Sequence, residues 1–240
     1  MSSTVKSPNQ QSNGFVWAVV AIIVAAVAVI GYIIYVNRDT GEVEVNPVPT
    51  AMSQTVEDDA FKLVADDDGK RDEATPQVEL YEDYLCPHCA ELAKADEEEL
   101  RAAIEAGDID LKVRTMTFMD RGRADGQSHH FAAAAYAVAE AGDAHLYWNF
   151  RQYLMEHQRD VYQKWGDKEL ANLARSLDAP DSVVDKIAEG AYLDKAREHS
   201  EANEARLRDT DEGVSSPRIF VNGKEVPLKA DWVTQAKRGA

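Results

Sequence analysis

Cysteine is nearly missing from this sequence: its 240 residues include only two, Cys86 and Cys89. Both lie in the stretch "YEDYLCPHCA" (81–90), with a proline and a histidine between them. Two cysteines placed at random in a chain of this length would fall three residues apart in roughly one chain in a hundred. The spacing therefore indicates that the two cysteines act together.

Neither a metal site nor a structural disulfide explains the pair well. No second C-x-x-C and no H-x3-5-H pattern follows, so the four protein ligands of a structural zinc site are missing. A structural disulfide would close only a four-residue loop, which removes little entropy from the unfolded chain. Both alternatives stay open, but redox chemistry accounts best for the spacing. The pair would then be its own redox group, with no metal and no other cofactor.

Basic residues are also scarce. The chain has 26 lysines and arginines against 43 acidic residues, and its net charge is −17. Nucleic acids and anionic lipid surfaces attract basic proteins, so we expect neither as a partner. The acidic runs at 57–59, 66–68 and 96–99 lack the carboxylate pattern of an EF-hand, and we expect solvated surface there.

Charge is absent altogether from Phe15 to Val36. These 22 residues would form about 33 Å of helix, enough to cross the hydrocarbon layer of a membrane. The run is longer than the apolar region of a cleaved signal peptide, and no clear A-x-A cleavage site precedes Val45. We therefore expect residues 15–36 to form an uncleaved transmembrane anchor, preceded by a cytoplasmic tail of residues 1–14.

The orientation of this anchor is not decided by its flanking charges, because the basic residues at its two ends nearly balance. A short amino-terminal tail is easily retained, however, while a long domain is translocated largely regardless of charge. The cysteine pair also favours an oxidising compartment. We therefore place residues 37–240 outside the cytoplasmic membrane. Residues 37–56 are polar and contain two prolines, which predicts a flexible tether.

The cysteines lie between a strand pattern and a helix pattern. "QVELYEDYL" (77–85) is typical of a strand, and the alanine-, leucine- and glutamate-rich stretch from Pro87 to a stop at Gly107 is typical of a helix. "IDLKVRTMTFM" (109–119) predicts a second strand, completing a right-handed βαβ unit. Helical patterns follow, and "PRIFVNGKEV" (217–226) predicts a hairpin with an Asn-Gly turn.

This arrangement puts Cys86 at the amino terminus of a helix, with Pro87 in the first turn, where a missing amide costs no hydrogen bond. The helix dipole supplies about 0.3 to 2 kcal/mol toward the Cys86 thiolate, at most about one and a half pKa units. We expect His88 to add a donor or a positive charge, and the Cys89 thiol to add a further donor. A stabilised thiolate favours the reduced form, which makes the disulfide an oxidant. Cys86 would be the attacked sulfur and Cys89 the buried resolving thiol.

The motif "VELYEDYLCPHC", followed by a helix, a helical insertion and "VSSPRIFVNG", resembles the DsbA-like branch of the thioredoxin superfamily, in its membrane-anchored Gram-positive or actinobacterial form. The resemblance covers about residues 58 to 238. It implies an α/β thioredoxin-like fold over residues 57–240, with a helical insertion at about 121–207, preceded by the single transmembrane helix.

The resemblance also assigns residues outside the cysteine motif. It implies that Pro217 is a cis-proline facing the cysteines and that Ser216 presents backbone groups to an extended substrate peptide. Many relatives have G-x-T-P at this point, whereas this chain has Ser215 and Ser216 before the proline.

Five further residues have two interpretations each. Glu79, Glu82 and Asp83 either relay protons to Cys89 or are solvated carboxylates. His129 and His130 either line the substrate face or have a role at the start of a helix or on the surface. The sequence does not decide between these interpretations.

The implied activity is that of a membrane-tethered thiol:disulfide oxidoreductase. It would donate the Cys86–Cys89 disulfide to reduced or unfolded exported polypeptides and be recharged by a membrane oxidase, the partner that the family resemblance implies. A reductase or isomerase of the same fold and a non-catalytic binding scaffold remain as alternatives. C-P-H-C favours oxidation over the C-G-P-C of reducing thioredoxins, and a scaffold needs neither the cysteines nor the cis-proline.

Overall fold

The computed structural model describes residues 13–36, 41–123, 125–229 and 231–239. The chain divides into two compact units, Met1–Gly41 and Glu42–Ala240. In the first unit, helix α1 extends from Asn13 to Val36, and its side chains over residues 16–30 are exposed. Within the described part of the chain, no helix has the length and apolarity needed to cross a membrane. Residues 1–12 of the predicted cytoplasmic tail lie outside the described residues.

The second unit is built on one mixed sheet. Its strands are β1 (Met52–Glu57), β2 (Ala60–Ala65), β3 (Gln77–Glu82), β4 (Asp110–Thr115), β5 (Arg218–Val221) and β6 (Lys224–Val226). They lie in the order β1-β2-β4-β3-β5-β6, with β3 and β4 parallel and the other neighbouring pairs antiparallel. The parallel pair is the predicted βαβ unit, and β5 and β6 are the predicted hairpin.

Helices cover the sheet and fill the predicted insertion. They are α2 (Pro87–Glu105), α3 (Gln127–Ala139), α4 (Ala144–Glu156), α5 (Gln158–Val161), α6 (Asp167–Ser176), α7 (Asp181–Ala188), α8 (Leu193–Arg208) and α9 (Trp232–Ala236). Helices α3 to α8 lie between β4 and β5 and form the insertion. Helices α7 and α8 are separate because Gly190, with φ +63°, takes the left-handed conformation that ends a helix.

One hydrophobic cluster joins the sheet to the helices. Leu63 and Leu111 from the sheet, Leu100 from α2, and Trp148 and Phe150 from α4 are all completely buried in it. Burial of this kind contributes about 1.5 to 3 kcal/mol for each large apolar side chain. The insertion is thereby fixed against α2, the helix that begins at the cysteines.

The prediction of a flexible tether over residues 37–56 is wrong for the carboxyl-terminal part of that segment. The amides of Val43 and Val48 donate hydrogen bonds to side chains of α6 and α4, at 2.9 and 2.7 Å, and the segment then continues into β1. Val43, Val45 and Val48 pack against the core, so three apolar contacts outweigh the polar composition that suggested a tether. Residues 37–40 lie outside the described residues.

Candidate active site

The two cysteines lie where strand β3 ends and helix α2 begins. The turn between them closes with a hydrogen bond from the Cys86 amide to the Asp83 carbonyl, at 2.9 Å. Cys86 is the N-cap residue of α2, with φ −78° and ψ 118°, and Pro87 is the first helical residue. Cys86 therefore lies at the end of the helix where the first backbone amides have no intrahelical partner. The predicted position of the motif is confirmed.

Cys86 carries the more acidic of the two thiols. The hydrogen bond from the Cys89 thiol has the largest effect, and the Ser216 hydroxyl and backbone amides at the helix start add to it. Together they lower the pKa of Cys86 to about 5, although burial opposes the change. At neutral pH Cys86 is therefore a thiolate, the form that attacks disulfides and leaves them readily.

Cys89 has the opposite character. Burial, followed by the hydrogen bond and charge of Cys86, raises the pKa of Cys89 well above its ordinary value. The two cysteines differ little in accessible surface, at 4% exposed for Cys86 and 2% for Cys89. The asymmetry comes from the balance between hydrogen bonds and burial: hydrogen bonds outweigh burial at Cys86 and favour its thiolate, whereas burial has the largest effect at Cys89 and favours its thiol.

Ser216 contacts both cysteines. Its carbonyl oxygen lies 3.5 Å from the Cys86 sulfur, and its hydroxyl oxygen lies 3.2 Å from the Cys89 sulfur. The peptide bond between Ser216 and Pro217 is cis, as the family resemblance implies. The hydroxyl contact was not predicted, because no local pattern links a serine so far along the chain to Cys89. The substrate-binding role of Ser216 and Pro217 stays a prediction.

The loop that carries Ser216 is held by a buried arginine. Arg218 donates hydrogen bonds to the Gly213 carbonyl at 2.8 Å and to the Thr210 hydroxyl at 3.1 Å. It also pairs with the carboxylate of Glu225 on the neighbouring strand β6. These contacts tie both ends of the loop to the sheet and so fix Ser216 against the cysteines.

The imidazole ring of His88 does not face the Cys86 sulfur. Its side chain is 78% exposed, and Nδ1 lies 3.3 Å from the Glu91 carboxylate. The backbone amide of His88, rather than the imidazole, is among the donors that lower the pKa of Cys86. In the described part of the chain the expected imidazole bond to the thiolate is not formed, because the ring turns to Glu91. An effect of the ring on Cys86 would act through its charge.

The acidic residues of β3 are held in ion pairs. Glu79 pairs with Arg114 at 2.5 Å. Glu82 makes a two-point contact with Arg151 of α4, at 2.8 and 2.6 Å, and both side chains are almost completely buried. The Glu82 charge also contributes to the raised pKa of Cys89. Glu82 is therefore not a solvated carboxylate, whereas the Glu79 side chain is 27% exposed. Arg151 could not be identified as the partner of Glu82 from sequence.

Asp83 connects the catalytic turn to the insertion. Its buried carboxylate accepts hydrogen bonds from the amides of Leu85 and Met119, at 2.9 and 3.1 Å. The Ser128 hydroxyl of α3 donates a third, at 2.8 Å. Burial has the largest effect on Asp83 and raises its pKa to about 7, and the nearby Asp120 carboxylate acts in the same direction. Asp83 is therefore also buried and hydrogen-bonded, rather than solvated.

The two histidines at the start of α3 make structural contacts. His129 Nδ1 lies 2.8 Å from Asp120, and its Nε2 lies 3.2 Å from the Thr117 hydroxyl. His130 Nδ1 lies 2.7 Å from Asp167, at the start of α6. These contacts favour a role at the helix start over a role at the substrate face. Among the described residues, no cluster of histidine, cysteine, aspartate and glutamate could hold a metal ion.

Comparison with known proteins finds a family and several solved structures that this chain resembles. Residues 70–236 match a family model described as thioredoxin. The solved structure of MdbA, a thiol-disulfide oxidoreductase from Corynebacterium diphtheriae, is 39% identical with a TM-score of 0.76, covering 83% of this chain and 99% of that one. MdbA from Corynebacterium matruchotii is also 39% identical, with a TM-score of 0.74 and coverages of 79% and 93%. Reduced DsbA from Mycobacterium tuberculosis, at 22% identity, TM-score 0.60 and coverages of 75% and 91%, shares the fold. No curated protein sequence matches the chain significantly.

Proposed function

Because this chain belongs to the thioredoxin superfamily, and within it to the DsbA-like thiol:disulfide oxidoreductases, we propose that Cys86 and Cys89 donate their disulfide to exported polypeptides. The observation that carries the proposal is the difference between the two sulfurs. The pKa of Cys86 is lowered to about 5, while that of Cys89 is raised well above its ordinary value. A stabilised Cys86 thiolate stabilises the reduced form, so the disulfide form is a strong oxidant.

The proposed reaction has two exchange steps. In the first, a substrate thiolate attacks the Cys86 sulfur; a bond forms between them as the Cys86–Cys89 bond breaks. Cys89 leaves as a thiolate and, because its pKa is raised, takes up a proton. In the second, another substrate thiolate attacks the substrate sulfur of the mixed disulfide and releases the Cys86 thiolate. The substrate loses two electrons and gains a disulfide, and the enzyme is left as one thiolate and one thiol.

Other residues of the motif support these steps. Pro87 begins α2 without using an amide, and the free amides of the following residues favour the Cys86 thiolate. His88, when protonated, adds a positive charge near the same sulfur. Ser216 and Pro217 form the edge against which an extended substrate peptide lies, with the Ser216 backbone as its hydrogen-bonding partner. We propose these roles from position and family resemblance.

We further propose that residues 15–36 anchor the enzyme in the cytoplasmic membrane, with residues 37–240 on the outer side. The support is the uncharged run of 22 residues. A disulfide donated to a substrate also persists only in an oxidising compartment, outside the cytoplasm. An enzyme that gives away its disulfide must recover it, so a membrane oxidase is the expected partner.

The experiment that tests the activity uses the full-length chain in detergent. It is equilibrated with glutathione buffers, and the redox state of the cysteines is followed by gel shift after alkylation. We expect a potential well above that of thioredoxin, about −270 mV, and we expect C86S and C89S to lose oxidation of a reduced, unfolded protein. A redox potential near the thioredoxin value would show a reductase instead. If the C86S or C89S variant still oxidised the substrate, the assignment of these two cysteines as the redox pair would be wrong.

A further inference from the structure

Cys89 must take up a proton during the reaction, although its sulfur is almost out of reach of water. The residue is 2% exposed. Burial raises the pKa of Cys89 well above its ordinary value, so the thiolate released from the disulfide is protonated at neutral pH. The first exchange step therefore needs a group that joins this buried sulfur to solvent.

Ser216 makes this connection. Its hydroxyl oxygen lies 3.2 Å from the Cys89 sulfur, and the residue itself is only partly buried. We propose that Ser216 is a catalytic residue of the exchange, whose hydroxyl passes a proton from solvent to Cys89 as that sulfur leaves the disulfide. This inference rests on the proposed function and adds to it the route by which the resolving thiol is protonated.

The other groups around Cys89 have no proton to give at this step. Among the described residues, the side chains within hydrogen-bonding distance of the Cys89 sulfur are those of Ser216 and Cys86. When Cys89 leaves, the Cys86 sulfur is bonded to the substrate and carries no proton. Glu82 acts on Cys89 through its charge, and both of its oxygens accept hydrogen bonds from Arg151, at 2.8 and 2.6 Å. The hydroxyl of Ser216 is therefore the donor that remains.

The Ser216 hydroxyl favours the charged form of Cys89. Burial has the largest effect on Cys89 and raises its pKa, whereas the Ser216 hydroxyl acts in the opposite direction. A hydroxyl lowers the pKa of a neighbouring thiol by donating a hydrogen bond to its thiolate. The hydroxyl hydrogen therefore points at the Cys89 sulfur when that sulfur carries negative charge. The distance of 3.2 Å is within the reach of a group that transfers a proton.

The loop holds Ser216 in place before the reaction begins. Arg218, two residues further on, is 2% exposed and donates hydrogen bonds to the Gly213 carbonyl at 2.8 Å and to the Thr210 hydroxyl at 3.1 Å. The Ser216 carbonyl oxygen lies 3.5 Å from the Cys86 sulfur. A donor that is already in position needs no reorganisation when charge develops on the leaving sulfur.

The transfer returns Ser216 to its starting form. As the Cys86–Cys89 bond breaks, its electron pair stays on Cys89, and the hydroxyl hydrogen of Ser216 moves to that sulfur. The Ser216 oxygen takes a proton from water at the same time, and the solvent recovers the proton that the substrate thiol released on ionising. The serine is neither oxidised nor reduced. The reverse transfer removes the proton from Cys89 when the disulfide forms again.

The test measures how fast dithiothreitol reduces the oxidised full-length protein in detergent, since the first step of this reaction releases Cys89. Samples are quenched with acid, alkylated and analysed by gel shift. We expect S216A to slow the reduction about a hundredfold, the lower end of the range for losing a general acid. S216T keeps a hydroxyl and should react nearly as fast as wild type. S215A is the matched control and should react as wild type does.

A second measurement separates proton transfer from an effect on acidity alone. A shift of one unit in the pKa of Cys86 changes an equilibrium constant by about tenfold, which is less than the loss of rate expected for S216A. The rates are also compared in ordinary and heavy water. Wild type and S216T should be slowed more by heavy water than S216A, in which no hydroxyl proton moves.

If S216A lowers the rate by less than about tenfold, or if heavy water slows wild type and S216A equally, Ser216 does not carry the proton and the inference is wrong. A wild-type redox potential near that of thioredoxin would instead contradict disulfide donation. The comparison of the Ser216 variants would still stand in that case, because Cys89 also leaves the disulfide in a reductase. The two failures are therefore distinguished.

Discussion

The hydroxyl oxygen of Ser216 and the sulfur of Cys89 lie 3.2 Å apart, although 127 positions separate the two residues in the chain. The same serine turns its carbonyl oxygen to the Cys86 sulfur at 3.5 Å. One residue of the cis-proline loop therefore contacts both redox atoms. The acidity of the pair is set by this loop as well as by the helix on which the cysteines lie.

Replacing the Ser216 hydroxyl should make the enzyme a weaker oxidant. That hydroxyl helps to lower the pKa of Cys86, so S216A should raise the pKa by about one unit, the effect of one hydrogen bond to a charged group. A less stable thiolate destabilises the reduced form and makes the potential about 30 mV more negative. Thiolate absorbance against pH and glutathione equilibration measure the two effects. S215A is the matched control, and equal shifts in both variants would contradict the role of Ser216.

The Cys89 thiol should be the strongest single influence on Cys86. In the reduced enzyme its hydrogen bond is the largest cause of the lowered pKa, so C89A should raise the pKa of Cys86 more than S216A does. The measurement is the pH dependence of Cys86 alkylation by iodoacetamide. In the wild type, alkylation at neutral pH should modify Cys86 before Cys89, and the reverse order would show that the two sulfurs are wrongly assigned.

Breaking the buried ion pair near the cysteines should destabilise the whole unit. E82Q removes the charge that faces Arg151 across 2.6 Å, and both side chains are nearly inaccessible to water. Loss of one partner from such a pair costs about 3 to 5 kcal/mol of unfolding free energy. Urea denaturation measures this. The control is E57Q at the surface pair with Lys62, where we expect about 0 to 1 kcal/mol.

Asp83 should make the protein less stable as the pH rises from acid toward neutral. Its pKa is raised from an ordinary 3.8 to about 7, so the folded state keeps a proton that the unfolded state has already released. The retained proton stabilises the folded state fully below about pH 4, and this contribution is lost as the pH rises to about 7. The unfolding free energy of wild type minus that of D83N should therefore fall as the pH rises over this interval. Parallel curves would contradict the assignment to Asp83.

The comparison of wild type with D83N also corrects for the titration of a second buried carboxylate, Asp96. The pKa of Asp96 is raised to about 6, chiefly by burial, and its titration has the same sign. Asp96 accepts a hydrogen bond from the Trp232 indole at 2.7 Å and is present in both proteins. The difference between the two curves therefore reports Asp83 alone.

Local patterns in the sequence were enough to predict the elements at the centre of the fold. The strand before Cys86, the helix from Pro87 and the hairpin at Asn222 were all predicted correctly, because alternation, helical spacing and an Asn-Gly turn act over a few residues. The tether was misjudged because the valines that pack it are diluted by polar neighbours. Its contacts lie more than one hundred residues away.

Long-range polar contacts were the part of the site that escaped prediction. Arg151 is one of 26 lysines and arginines in the chain, and only the fold shows that it faces Glu82. The second role of Ser216 was missed for the same reason, since a serine hydroxyl has no periodicity to reveal its partner. The position of the His88 ring depends on Glu91, one helical turn away, and the motif alone does not favour that rotamer over one facing the sulfur.

The pairing of Glu82 with Arg151 has a consequence for how this protein can be dissected. The carboxylate belongs to the sheet and the guanidinium to the insertion, so each half holds the counter-ion that the other needs. A trimmed version reduced to a minimal thioredoxin scaffold would leave Glu82 without its counter-ion, and the excised helices would leave Arg151 without its own. The insertion is thus not a removable module, and we expect the sheet and its helices to melt in a single cooperative transition.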